Sequence, residues 1–126
     1  MAYGSVLADV VQGSTSGTPP QFNDGNGTQI GTLCRAWVSF TSSGSTSIQA
    51  SFNVSSVTYS SAGVYVINFT NSLPDANFVG TPVCTQGGTA YIAANGTRAT
   101  GSLQVKTFSQ AGSAADATSV QCGVFR

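Results

Sequence analysis

The stretch CRAWVSFTSSGSTSIQASFNVSSVTYSSAGVYVINFT, residues 34–70, decides the fold. It contains β-type runs in which apolar and polar residues alternate, and clusters of Ser and Gly separate these runs. From Cys34 to Phe40 every second residue is apolar and shares one face, while Trp37 lies on the other face. Such alternation is typical of a strand that buries one face in a core. The stretch therefore predicts antiparallel β-structure.

Two further runs in this stretch carry their own expectations. In residues 48–52 every second residue is apolar, and the Ser55-Ser56 pair that follows predicts a bulge or a strand break. Val64–Thr70 is apolar on both faces except at Asn68. A continuous apolar run of this kind predicts a strand that is buried on both sides.

Beyond residue 77 the alternation continues more loosely, over residues 78–85, 89–94, 102–109 and 120–124. Gly80 and Pro82 interrupt the first of these runs and predict an edge or bent strand. Asn95-Gly96 is typical of a tight hairpin turn. About eight strands at this spacing predict an all-β, antiparallel β-sandwich over residues 33–126. The pattern does not distinguish a jelly-roll-like from an Ig-like topology.

Residues 1–32 have a different character and predict an extended N-terminal arm. Residues 2–11 could form one short strand, and residues 12–31 are rich in Gly, Pro and turn residues, with a tight turn expected at Asn26-Gly27. Such a segment buries little apolar surface alone, so we expect a strap that becomes ordered against a partner. Its apolar side chains would attach it to a partner protein or a neighbouring subunit: Tyr3, Val6, Leu7, Val10, Phe22 and Ile30.

The composition limits the classes of partner. The 126 residues include four Lys/Arg, four Asp/Glu and no His, and the formal net charge is zero. A neutral chain has no electrostatic attraction for nucleic acid or an anionic membrane. No apolar run approaches the ~18 residues of a membrane span, and residues 6–11 are too short and too poorly flanked for a secretory signal. We expect assembly in a cytoplasm, association with other copies, no nucleic acid and no membrane insertion.

The three cysteines, Cys34, Cys84 and Cys122, are odd in number and include no CxxC pair. This pattern argues against a disulfide framework and against a zinc site. Each lies in an apolar strand pattern, where free cysteine behaves as a small buried apolar residue. We expect buried free thiols, with a Cys84–Cys122 pair as the open alternative.

The residues needed for catalysis are scarce. Without histidine, Ser-His-Asp and Cys-His nucleophiles are excluded. The four aspartates lie in turn or terminal settings, as turn chemistry predicts for Asp24 and Asp75. Residues 23–26 are a weak oxygen-rich candidate for calcium, and an ordinary turn explains them better. We expect no enzyme activity, no metal and no cofactor.

Binding is the remaining kind of function. Exposed aromatic rings with neighbouring amides and hydroxyls suit carbohydrate recognition, which makes Tyr59, Tyr91 and Trp37 candidates. For Trp37 we favour a subunit interface, because aromatic residues concentrate there. Candidate receptor contacts also include Asn95 and Arg98. Loops expected over residues 41–47, 86–89, 95–100 and 111–118 are typical recognition elements on a rigid sandwich.

A family resemblance adds to this reading. Its motifs are CRAWVSF at 34–40, IQASFNVSSVT at 48–58, GVYVINFT at 63–70 and LPDANF at 73–78, with PQF at 20–22 and GTQIGT at 27–32. Together they resemble a module of tailed-bacteriophage structural proteins, found in the C-terminal β-sandwiches of tail fibres and virion appendages. The resemblance spans about residues 18–79.

The resemblance implies a trimeric virion protein that touches the host. We expect a short homotrimeric fibre or knob that contacts a host glycan or protein and is attached to capsid or tail proteins through residues 1–32. Fibres of this kind carry a long shaft between the attachment end and the tip, and here residues 1–32 meet the sandwich directly. The alternative is therefore a capsid decoration, or cement, protein that stabilises the head.

Overall fold

The computed structural model describes residues 4, 7–14, 20–87, 89 and 91–126 of the chain. The chain divides into two compact units, Met1–Leu33 and Cys34–Arg126. The described residues contain ten β-strands and no helix. All strand pairs are antiparallel, and this confirms the predicted all-β class.

The first unit contains a small hairpin of β1 (Phe22–Asn23) and β2 (Gln29–Gly31). Asp24 organises its turn, because one carboxylate oxygen accepts hydrogen bonds from the backbone N–H groups of Asn26, at 2.9 Å, and Thr28, at 2.8 Å. Gly27 adopts the left-handed conformation, with φ of 81°. The predicted turn is present, and the Asp24 carboxylate belongs to it.

The strand expected over residues 2–11 does not form in its described part. Residues 4 and 7–11 lie outside any strand, while Tyr3 and Val6 lie outside the described residues. An extended segment gains ladder hydrogen bonds only beside a partner strand, and no described residue pairs with this one.

The second unit is a sandwich of two four-stranded sheets. The first sheet has the order β4-β3-β10-β7 and the second has the order β5-β6-β9-β8. The strand bounds are β3 (Cys34–Thr41), β4 (Ser47–Phe52), β5 (Val54–Ser61), β6 (Val64–Phe69), β7 (Val79–Thr85), β8 (Ile92–Ala99), β9 (Ser102–Phe108) and β10 (Ser119–Phe125). The sequence left the topology open, and the structure specifies it: β3–β4, β5–β6 and β8–β9 are hairpins, and the other connections pass from one sheet to the other.

Asn53 forms the single-residue corner between β4 and β5. Its φ is 55°, in the left-handed region that non-glycine residues rarely adopt. Its side-chain amide donates to the carbonyls of Arg35 and Asn71, both at 3.1 Å, and its oxygen accepts from the Asn71 N–H at 2.7 Å. The three hydrogen bonds hold the backbone in this conformation and connect the start of β3 in the first sheet to the segment that follows β6 in the second.

The core lies between the sheets and is built from the inward faces of the alternating strands. Phe40 of the first sheet meets Tyr65 of the second edge-to-face, with ring centroids 5.4 Å apart. Phe69 and Phe78 form a similar pair at 5.8 Å. Burial of each such side chain stabilises the fold by about 1.5–3 kcal/mol. The fully buried side chains come from both sheets, which is the arrangement expected of a sandwich.

Three features of the sandwich were predicted and are seen. β7, which contains Gly80 and Pro82, is the edge strand of the first sheet. The ladder shifts register near the Ser55-Ser56 pair, which marks a bulge. The three cysteines are free, but the expected burial is wrong for Cys34 and Cys84, which are half-buried, and holds for Cys122. Cys84 and Cys122 lie on neighbouring strands two residues out of register, a diagonal separation of about 7–8 Å that exceeds the usual reach of a disulfide.

Two local expectations are wrong. β6 buries only one face completely, since Val64, Val66 and Asn68 are half-buried. Asn95-Gly96 is not a hairpin turn, because β8 runs through it with a bulge and turns at residues 100–101. A Cβ on Gly96 would collide with the Gln104 side-chain oxygen on the neighbouring strand. Gly96 therefore lies within a strand, under the Gln104 side chain, and not in a turn.

A bulge in β4 reverses the face of its C-terminal half. Ser39 pairs with Ala50 and Phe40 pairs with Ile48, so Gln49 has no partner in the ladder. Ile48 therefore packs against the core, while Phe52 pairs with Trp37 on the outer face and is 55% exposed. The regular alternation of residues 48–52 does not indicate this reversal.

Candidate functional site

Four connections of the sandwich meet at one end, which we call the loop end; its described residues are 42–46, 62–63, 86–87, 89, 91 and 109–118. The ladder places Thr41, Ser119 and Thr85 side by side at this end. Cys34, where the sandwich begins, lies at the opposite end of the same sheet. Three of the four loops expected from sequence thus converge. The fourth, over residues 95–100, is mostly strand β8.

Asp116 is the central polar residue of the loop end. One carboxylate oxygen accepts hydrogen bonds from the Gly63 N–H at 2.7 Å and the Tyr65 hydroxyl at 2.9 Å. The other accepts from the Tyr59 hydroxyl at 3.1 Å. One carboxylate therefore connects the long 109–118 loop to β5, β6 and the turn between them.

Two buried hydroxyls anchor the same loop. Ser42 donates to the Ala117 carbonyl, and Thr107 donates to the Ala115 carbonyl, each at 2.6 Å. At the surface of this loop the Thr118 hydroxyl donates a hydrogen bond to the side-chain oxygen of Gln86, also at 2.6 Å. Among the described residues no buried side-chain polar atom lacks a hydrogen-bond partner. A loop with this many connections is held in one conformation and can present a fixed surface.

The electrostatics of the cluster do not favour proton transfer near neutral pH. Partial burial opposes ionisation of Asp116, but the hydrogen bonds from Gly63, Tyr65 and Tyr59 outweigh it and lower the pKa of this carboxyl. Desolvation, together with the nearby carboxylate, raises the pKa of both tyrosines. Asp116 remains an acceptor and the tyrosines remain donors, which is the behaviour of a structural network.

Apart from the partly buried Asp116 carboxylate, the outward surface of the loop end is neutral and polar. Its exposed described residues are small hydroxyl, amide, Gly and Ala residues: Ser43, Gly44, Ser45, Ser60, Ser61, Ala62, Gly87, Thr89, Gln110, Ala111, Gly112, Ser113, Ala114 and Thr118. Such a surface can donate and accept hydrogen bonds without charge, which suits hydroxyl-rich or backbone partners.

The two tyrosines proposed for receptor contact occupy different settings. Tyr59 lies beside the loop end, 37% exposed, with its hydroxyl bound to Asp116 and its ring 5.9 Å from that of Tyr65. Tyr91 is half-buried and packs against the core. Tyr59 thus offers a ring edge at the surface, whereas Tyr91 mainly supports the packing.

Asn95 and Arg98 do not belong to the loop end. The Asn95 amide donates to the Gly80 carbonyl at 2.6 Å, and the Arg98 guanidinium donates to the Phe78 carbonyl at 2.9 Å. Both side chains connect edge strand β8 of the second sheet to the start of β7 in the first. They close one side of the sandwich, so a change at either position would alter the fold as well as the surface.

The predicted attachment residues that the structure describes are exposed. Leu7, Val10, Phe22 and Ile30 of the first unit expose between 49% and 97% of their area. Trp37 lies on the outer face of the first sheet and is 41% exposed. The structure does not bring Trp37 together with the loop end, because it lies midway along β3.

Sequence reasoning missed the central role of Asp116, Ser42 and Thr107. The one usable signal was that Asp116 is the only charged residue in the loop QAGSAADAT. Its partners lie 51 to 57 residues away in the chain, so no local pattern relates them.

The described residues contain no group of three or more potential metal ligands of the His, Cys, Asp and Glu types. None of their segments forms a helix with the length and apolar character to span a bilayer. Comparison of the chain with protein-family models, curated proteins and solved structures finds no match. The likeness to bacteriophage fibre domains therefore rests on the sequence motifs alone.

Proposed function

We propose that this chain is a bacteriophage virion structural protein, a short homotrimeric knob that touches the host surface with its loop end. The observation that carries the proposal is the loop end itself. Its loops are tied down by Asp116, Ser42 and Thr107, and they present neutral hydrogen-bonding groups at the end of the sandwich opposite Cys34. Rigid loops recognise a partner with little loss of conformational entropy.

The N-terminal segment suits attachment to the particle. It joins the sandwich at Cys34, and its described apolar side chains are exposed. Exposed apolar residues in a segment that buries little surface are typical of a chain that becomes ordered on a partner. In this proposal residues 1–32 bind capsid or tail proteins, and the loop end contacts the host.

The alternative is a capsid decoration protein. Leu7, Val10 and Val11 favour it, because all three are at least 68% exposed within five residues. A strap of this kind could brace neighbouring capsid subunits while the sandwich binds nothing. Deletion of residues 1–17 would then yield particles that break at a lower temperature, with unchanged adsorption to host cells.

The copy number in purified virions separates the two. We would quantify the protein by mass spectrometry relative to the major capsid protein. A ratio far below one would support the appendage, and a ratio near one would support decoration. Complete absence from virions would refute both.

Host contact is tested by one loop-end variant and one matched control. Ser113→Arg adds a large charged side chain at an exposed loop position, and Thr100→Arg adds the same group at an exposed hairpin at the opposite end. We expect the first to slow adsorption of assembled particles at least tenfold and the second to leave it unchanged. Equal adsorption by both variants would contradict host contact through the loop end.

A further inference from the structure

The outer face of the first sheet carries several exposed apolar side chains. Phe52, Trp37, Gly123 and Thr81 are aligned across its four strands by the ladder. Val79, Val83 and Phe125 lie at outward positions beside this row. We call this surface the first-sheet face. Its five large side chains, Trp37, Phe52, Val79, Val83 and Phe125, are 38–60% exposed.

The outer face of the second sheet differs in chemistry. There the Asn68 amide donates to the hydroxyls of Ser56, at 3.0 Å, and Thr58, at 3.1 Å. Gln104 and Lys106 occupy the outward positions of β9. On that face Ile92 is exposed among polar groups that bind each other and solvent, whereas the first-sheet face exposes five large aromatic and branched side chains.

The first-sheet face is almost uncharged. Among the described residues at its outward positions, Arg35 alone carries a charge. Charged residues are depleted at the centre of protein interfaces, and aromatic residues are enriched there. The composition of this face is that of an interface centre.

The surface also has relief. β10 contributes Gly123, which has no side chain, and a groove of about 320 Å³ follows it between Trp37 and Ser39 on one side and Thr81 and Val83 on the other. A Cβ on Gly123 would lie 3.2 Å from both the Thr81 hydroxyl and the Phe125 ring. The absence of a side chain at Gly123 therefore leaves the groove open, and Thr81 and Phe125 lie close on either side of it.

We propose that the first-sheet face is the contact between copies of this chain, with Trp37 of one copy seated in the Gly123 groove of the next. The Trp37 side chain projects from β3, and the groove lies over the adjacent strand β10, about 4.8 Å away. A two-fold axis parallel to the strands and between β3 and β10 places each Trp37 over the partner's groove. In a closed ring of three the contact is instead head-to-tail, and each copy gives Trp37 to one neighbour and its groove to the other.

The area suits a self-contact. The five exposed apolar side chains present on the order of 450 Å², given about 150–250 Å² for a whole aromatic side chain. With the polar residues between them, the face approaches the ~800 Å² that each partner buries in a standard interface. A neutral face meets its own copy without like-charge repulsion, whereas a charged partner would leave its charges unpaired.

This inference assigns the surface for self-association in the proposed function and relies on that proposal only for the number of copies. It is tested on the purified chain without virions or host, so its failure is distinct from failure of the host-contact proposal. Val83→Lys puts a charge on the groove wall. Ile92→Lys is the matched control, because both residues are 56% exposed and lie on edge strands of opposite sheets.

We would measure mass by light scattering and sedimentation over a wide range of protein concentration. We expect the natural chain to reach a multiple of its 12.7 kDa protomer mass. Val83→Lys should raise the dissociation constant at least tenfold, and Ile92→Lys should change it less than twofold. Far-ultraviolet circular dichroism would verify that both variants are folded. A natural chain that stays monomeric, or equal effects of the two variants, would overturn the proposal.

Trp37 is the one tryptophan of the chain and reports on the contact directly. Its emission should shift to shorter wavelength, and iodide quenching should fall, over the concentration range in which the mass rises. If the mass rises while emission stays constant, the copies associate through another surface and the proposal is wrong. A monomer whose Trp37 is already protected from iodide would show that the face is covered within a single copy, which also refutes the proposal.

Discussion

Gly63→Ala tests the tight contact between the β5–β6 turn and the 109–118 loop. Gly63 is buried and has a φ of 69°. A Cβ at this position would overlap the Thr107 carbonyl oxygen and would lie 2.7 Å from the Ala115 nitrogen. These are backbone atoms, which cannot rotate away as the end of a flexible side chain can.

The magnitude follows from two contributions. Alanine in the left-handed region costs about 1–2 kcal/mol relative to glycine. Relief of the overlap requires movement of the loop, which weakens the hydrogen bonds from the Gly63 N–H to Asp116, 2.7 Å, and from the Thr107 N–H to the Gly63 carbonyl, 2.8 Å. Each lost bond costs about 1 kcal/mol. We expect a loss of about 3–4 kcal/mol in the free energy of unfolding.

Gly112→Ala is the matched control. Gly112 has a φ of 80°, but no other residue approaches its Cβ position within 4 Å. Its substitution should cost only the backbone contribution of about 1–2 kcal/mol. Urea unfolding at one fixed protein concentration, followed by circular dichroism, gives both values if the slopes agree. If the two variants differ by less than about 0.5 kcal/mol, the packing argument at the loop end is wrong.

Three further predictions concern the Asp116 network, the β4–β5 corner and the thiols. The pKa of Asp116 is lowered in the folded state, so its contribution to stability is present above about pH 4 and is lost as the pH falls further. Asp116→Asn should therefore reduce the fall in the urea midpoint between about pH 7 and pH 2. If the midpoint of the variant falls as steeply as that of the natural chain, the network is contradicted. Asn53→Ala should cost about 1 kcal/mol more than Asn53→Gly, since both remove the hydrogen bonds and only alanine adds left-handed strain; equal urea midpoints would contradict this account of the corner. Burial raises the pKa of Cys122 to about 11, so iodoacetamide at about pH 8 should label it far more slowly than the half-buried Cys34. Mass spectrometry would measure both labelling rates, and the difference should disappear in denaturant. Equal labelling rates in the folded protein would contradict the buried position of Cys122.

Local patterns predicted the strands because each depends on neighbours in the chain. The alternation in residues 34–40 put Ala36, Val38 and Phe40 in the core, and all three are buried. Gly80 and Pro82 identified an edge strand, since proline cannot donate to a central ladder. The turn at Asn26-Gly27 followed from a left-handed glycine. In each case the physical cause lies within a few residues.

The exposed face and the loop end required distant residues. Phe52 faces outward only because a bulge at Gln49 changes the register between β3 and β4, and a one-residue shift reverses every following side chain. The sequence predicted a turn at Asn95-Gly96, but the pair lies in strand β8, and the Gln104 side chain of the next strand lies over the glycine. Of the binding candidates, Tyr59 lies beside the loop end, while Asn95 and Arg98 hold the two sheets together.

By itself the sequence determined the all-β class, most strand positions and the scarcity of catalytic groups. The strands follow from the two-residue period of apolar side chains, and the scarcity of catalytic groups follows from composition. The tertiary structure alone decided which loops meet, which carboxylate joins them and which apolar side chains remain in water. Those outcomes depend on strand register and on the approach of backbones that lie some fifty residues apart in the chain. Asp116 and Trp37 show the difference most clearly, since their neighbours come from other strands and loops.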